Sequence, residues 1–104
     1  MCIRDSGWTP VNVAAQNGHT GTVTELARLG ADVTIANNDG ATPVFIAAEN
    51  GHTGTVTELA RLGADVTIAN NDGRTPAYVA AQNGHTGTVT ELVRLGADGA
   101  DVTS

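Results

Sequence analysis

The chain has 104 residues, 40% of them hydrophobic, and sets 11 acidic against 5 basic side chains, for a formal net charge of −6 at pH 7. It has no lysine and its arginines are scattered, which argues against nucleic acid as a partner, since a phosphate backbone needs clustered cations. No apolar run approaches the roughly 18 residues of a membrane span, no secretory leader is visible, and the single Cys2 excludes a disulfide framework.

These readings leave the compartment unassigned, intracellular by default. Trp8, Phe45 and Tyr78 are the only aromatic residues. The remaining apolar content is mostly Ala and Val, so the core must be built from small side chains. Each fully buried Val or Leu contributes about 1.5–3 kcal/mol, and modest stability is expected.

Residues 1–6, MCIRDS, break the pattern that governs everything after them. Where later copies read NND before their glycine, the chain gives Arg4, Asp5 and Ser6. Back-translated, the stretch resembles a sequencing adapter. It is expected to be a non-native leader and is set aside from the reading of the fold.

From Gly7 the chain repeats. Gly7, Gly40 and Gly73 open three copies spaced 33 residues apart, and the first two, 7–39 and 40–72, differ at only four positions. The third, 73–104, follows the pattern to Asp98 and then diverges as GADVTS. With one word written three times, repeat architecture comes before any other reading.

Each copy predicts helix, helix and an extended turn-rich segment. In the second copy Thr42 is a suitable N-cap and Pro43 sits at the first helical position. Val44, Ala47 and Ala48 give a narrow apolar face at i, i+3, i+4. Asn50 and Gly51 end that helix, because glycine accepts the left-handed conformation that follows a helix. A second helix runs through Val56, Leu59 and Ala60 and stops at Gly63. Its start is weak: Gly54 costs about 1 kcal/mol against Ala inside a helix, and Thr55 with Glu58 offers a capping box that starts the helix late. Short, marginal second helices are therefore predicted. The segment GADVTIANNDG suits a projecting, hairpin-like finger. A β-solenoid is the alternative suggested by the Thr, Val and Gly content; the caps and helical spacing count against it.

The 33-residue length, the Thr-Pro opening, and the Ala-Ala-x-x-Gly-His and Gly-Ala-Asp-Val segments together resemble the ankyrin repeat. The resemblance covers residues 7–98 in three registers. It implies an all-α repeat solenoid of stacked helix-turn-helix units with β-turn fingers, and a concave face that binds other proteins. Two departures stand out. The family's Leu is Val11, Val44 and Ala77 here, and its His is Asn12, Phe45 and Tyr78, so that polar ladder is absent or rebuilt.

Between near-identical copies the differences carry the information. Trp8, Ala41 and Arg74 occupy one column, Asn12, Phe45 and Tyr78 a second, and Gln16, Glu49 and Gln82 a third, spaced four residues apart along each copy. The first and third columns resemble the ankyrin positions that meet a partner, and Asn71 and Asp72 belong to the intervening finger. These eleven residues are the expected partner-binding set, with aromatic and arginine side chains as its anchors. For Phe45 and Tyr78 the competing reading is that they fill space between repeats; for Trp8, that it lies on an exposed seam.

His19, His52 and His85 recur one full repeat apart, too far for one metal shell with ligands about 2 Å from the ion; a loop-bracing role is expected. Glu25–Arg28, Glu58–Arg61 and Glu91–Arg94 read as surface i, i+3 pairs. Cys2, Ser6 and Ser104 stand at the chain ends with no base placed beside them. No enzyme activity, metal or cofactor is expected. The expected function is protein–protein interaction within a fragment of a longer array; a spacer in a larger chain is the alternative. Neither end reads as a polar capping repeat, so self-association through uncapped ends is also expected.

Overall fold

The structure, a computed structural model, describes residues 8–96. The leader and the divergent GADVTS end both lie outside the described residues. Six helices follow in chain order: α1 Pro10–Gln16, α2 Thr20–Arg28, α3 Pro43–Glu49, α4 Thr53–Arg61, α5 Pro76–Gln82 and α6 Thr86–Arg94. No strand occurs among the described residues, which disposes of the β-solenoid alternative.

The first helix of each pair begins as the sequence predicts. Thr9, Thr42 and Thr75 are extended, and their hydroxyls accept from the backbone N–H of Asn12 (3.1 Å), Phe45 (3.2 Å) and Tyr78 (3.1 Å). Each threonine thus satisfies one of the orphan donors of the first turn, and the following proline has no N–H to leave orphaned. The same helices end at Gly18, Gly51 and Gly84, whose φ values of 71°, 74° and 78° are left-handed. The next residue, always histidine, then turns its N–H back to the carbonyl of Ala14, Ala47 or Ala80 at 2.9 Å. This is the closing bond of a helix-terminating loop.

The second helices depart from expectation. Each has nine residues against seven in the first, and α4 starts at Thr53 with Gly54 inside it. The Thr55–Glu58 capping box is not used. Instead the Thr55 hydroxyl lies 2.7 Å from that of Thr20 in the preceding repeat, and the Glu58 carboxylate takes a 2.7 Å bond from the Thr24 hydroxyl. Stacking supplies what local propensity lacks, as for most helices in folded proteins.

The helix pairs stack in two layers, α1–α3–α5 and α2–α4–α6. Val11, Val44, Ala47, Ala48, Val56, Leu59 and Leu92 form the continuous core, each at most 1% exposed. Small side chains let the helices approach closely, and the cumulative contact takes the place of large residues. The middle repeat is enclosed on both sides, and every residue from Ala41 to Ala48 is buried.

The connector between pairs is held by Asn37 and Asn70. Asn37 Oδ1 accepts from the N–H of Asp39 (2.9 Å) and Ala41 (3.0 Å), and its carbonyl takes the N–H of Gly40 at 2.9 Å. Asn70 repeats this with Asp72, Arg74 and Gly73. Upstream, Asp32 and Asp65 accept from the hydroxyl and N–H of Thr34 and Thr67. The threonine hydroxyl first, then the backbone N–H, holds each carboxyl below the usual aspartate range.

A polar groove between the second and third repeats

The inner layer of helices and the connector turns enclose a groove of about 340 Å³ between the second and third repeats. Glu49 and Gln82, at the C-terminal ends of α3 and α5, form one wall with Asn83. Asn71, Asp72 and Arg74, held by the Asn70 turn, form another, and Asp39 enters from the preceding turn. The turns are fixed to each other. The backbone N–H of Asn71 donates to the Asp39 carbonyl at 2.9 Å, and its side-chain amide donates to the Asn38 carbonyl at 3.0 Å. Gly40 lies beneath this junction, where a Cβ would stand 2.4 Å from Asn71 Oδ1. Only glycine admits the contact, and its φ of 77° demands glycine independently.

Charge in the groove is unevenly divided. Asp39, Glu49 and Asp72 bring three carboxylates, and Arg74 is the one cation of the lining. The Arg74 guanidinium carbon stands 5.9 Å from the centroid of the Tyr78 ring. This cation–π arrangement orients the arginine over an exposed ring.

The eleven expected contact residues separate into two groups. Gln16, Glu49, Asn71, Asp72, Arg74, Tyr78 and Gln82 are exposed, and Trp8 is half-buried against the core. Asn12, Ala41 and Phe45 are buried, at 0%, 5% and 4% exposure; of the three, Phe45 borders the groove. In the column of Asn12, Phe45 and Tyr78 the first two, each followed by another described repeat, are buried, and Tyr78 is 53% exposed. Phe45 is covered by the third repeat, whereas Tyr78 remains open. The burial of Phe45 is what its space-filling reading expects. Asn12 is buried with neither its amide nitrogen nor its carbonyl oxygen hydrogen-bonded.

Asp39 and Asn83 were not flagged by the sequence. They are identical in their neighbouring copies, so a comparison of differences passes over them; only the turn geometry puts them in the groove.

Outside the groove, the histidines brace repeats as well as loops. His52 Nε2 lies 3.0 Å from the Gln16 carbonyl oxygen, and His85 Nε2 lies 3.1 Å from that of Glu49. A carbonyl only accepts, so Nε2 is the donor. The rings sit against Gly18 and Gly51, where a Cβ would come within 2.7 Å of Nδ1. Among the described residues, no three His, Cys, Asp or Glu side chains gather as a metal shell, and no helix is long and apolar enough to cross a membrane.

The comparison with known proteins agrees with the geometry. A family model for ankyrin repeats, in three copies, matches residues 12–104, and the chain belongs to the ankyrin repeat family. Among curated proteins, none is similar enough to count as a match.

Proposed function

We propose that the chain is a protein-binding module without catalysis, and that the groove between the second and third repeats is its contact surface. One observation carries this reading. In copies that otherwise nearly coincide, the positions that vary include Glu49, Arg74 and Gln82, and all three line the same groove. The copies also differ at buried or half-buried positions such as Asn12/Phe45 and Val13/Ile46. The exposed polar differences in the second and third copies meet on this one surface, and exposed variation on a repeated frame is how a repeat scaffold acquires specificity. Ankyrin repeats generally serve as protein-interaction modules, which supports the reading.

The three carboxylates favour a basic partner segment that supplies hydrogen-bond donors, and Arg74 takes one acceptor from it. Such a contact steers encounter and weakens with salt. The test is selection of peptides from a displayed random library on the 104-residue chain, followed by titration against Glu49→Lys and Arg74→Ala. Peptides rich in Arg and Lys should be recovered and should lose at least about tenfold in affinity to either variant, equivalent to 1.4 kcal/mol. Recovery of no groove-dependent binder would favour the spacer reading, in which the array only sets distance between other parts of a larger chain.

A further inference from the structure

The two ends of the stack carry opposite halves of one interface. Inside the chain that interface is made twice, by the same residues in the same register. Between the first and second repeats, His52 donates to the Gln16 carbonyl above Gly18, Thr55 meets Thr20 at 2.7 Å, and Thr24 donates to Glu58 at 2.7 Å. Between the second and third, His85 donates to the Glu49 carbonyl above Gly51, Thr88 meets Thr53 at 2.7 Å, and Thr57 donates to Glu91 at 2.6 Å.

Advance the register by one repeat and each set is left half complete. The face of the third repeat offers the Gln82 carbonyl, an empty seat at Gly84 where a Cβ would meet nothing within 4 Å, and the exposed hydroxyls of Thr86 and Thr90. The face of the first repeat offers His19, Thr22 and Glu25, all exposed. The Glu25 side chain is 53% exposed, while its counterparts Glu58 and Glu91, each held by a threonine of the preceding repeat, are 15% and 14% exposed.

Apolar residues follow the same rule. Pro43 and Pro76 are buried but Pro10 is exposed; Ala15 and Ala48 are buried but Ala81 is exposed. Each end thus presents a patch that is core everywhere else in the stack, ringed by hydrogen-bonding groups whose partners are on the other end.

We propose that the two end faces dock on one another between copies of this chain, head to tail. His19 of one copy takes the seat at Gly84 of the next and donates to its Gln82 carbonyl; Thr22 meets Thr86, and Thr90 donates to Glu25. The occupant of each face is a second copy of this chain, which brings the complementary half in the register already seen twice. Two third-repeat faces pressed together would set Thr86 against itself and leave both glycine seats without a ring, so a two-fold dimer does not satisfy the groups. A head-to-tail contact leaves one face of each kind open on every assembly, so copies continue to add as a stack unless the rotation between them closes a ring. The docking uses the ends of the stack and is independent of the groove proposed above as the binding surface.

The test is sedimentation of the 104-residue chain and two variants, each at an exposed position so that the fold is undisturbed: Thr22→Arg, which blocks the first-repeat face, and Ala81→Arg, which blocks the third-repeat face. The unaltered chain should gain mass steadily with concentration. Each variant alone should remain at the monomer mass of 10.5 kDa. Mixed, they should form a 1:1 pair and nothing larger, since each supplies the face the other has lost; recovery of the pair also shows that both variants are folded. A monomer at every concentration, association of either variant by itself, or a mixture that fails to pair would each overturn the proposal.

Discussion

Asn12 and the inter-repeat glycines make the sharpest statements a single side chain can make here. Asn12 is fully buried with two polar atoms unbonded, and a buried unsatisfied polar group costs about 1–3 kcal/mol. Leucine has nearly the same volume and no polar atom. Asn12→Leu should therefore raise stability by about 1–3 kcal/mol, read as a higher urea midpoint with an unchanged slope; a lower midpoint would mean that the amide is bonded after all. The glycines allow a matched pair. Gly51 and Gly84 have φ values of 74° and 78°, so alanine at either carries a similar left-handed penalty, about 1–2 kcal/mol. At Gly51 the new Cβ would also stand 2.7 Å from the His85 ring, while at Gly84 it meets nothing. In dilute solution Gly51→Ala should destabilise by more than Gly84→Ala, and the difference measures the histidine seat. Equal losses would show that the ring moves aside without cost.

At the scale of the helix, α4 and α6 depend on what lies across the stack. Glu58 is held below the ordinary glutamate range first by Arg61 and then by the Thr24 hydroxyl; Glu91 is held likewise by Arg94 and Thr57. A carboxyl whose folded pKa is depressed stabilises the fold at pH values above its unfolded pKa. That contribution fades as pH falls through the folded value. The window therefore opens just under the ordinary glutamate value of 4.5 and extends downward. Melts across this range should lose stability toward acid, and Glu58→Gln with Glu91→Gln should flatten that slope; an unchanged slope would assign the acid loss to the aspartates of the turns.

The same pairs explain what the sequence disclosed and what it hid. Thr42, Pro43 and Gly51 act on their own helix, so α3 was legible to the residue. Thr55 and Glu58 also looked like local signals, but their bonds go to Thr20 and Thr24, some 35 and 34 residues away, and no reading of one helix finds them. In the groove, Glu49, Arg74 and Gln82 were legible because the copies differ there. Asp39 was passed over although its copy Asp72 was not, because its place in the groove depends on the bond from Asn71 across the junction. The burial of Phe45 against the exposure of Tyr78 follows the repeat that stacks after it.

Over the whole molecule, stability is a sum of units and the interfaces between neighbours, as in other repeat stacks. The copies are nearly identical, so their intrinsic terms nearly cancel in any comparison, and position along the stack decides the rest. The second repeat has a neighbour on each side and buries every residue from Ala41 to Ala48; the first leaves Pro10 and His19 open, and the third leaves Tyr78 and Ala81 open. Local opening of an end repeat breaks one interface, whereas opening the middle breaks two. Amide hydrogen exchange in dilute solution should therefore be slowest in α3 and α4 and faster in the equivalent amides of α1, α2, α5 and α6, although the sequences of α2 and α4 are the same. Identical helices with different protection would show that neighbours, not propensity, hold the second helices in place. Equal protection in α2 and α4 would mean that the three repeats open as one unit, and the additive account of the stack would fail.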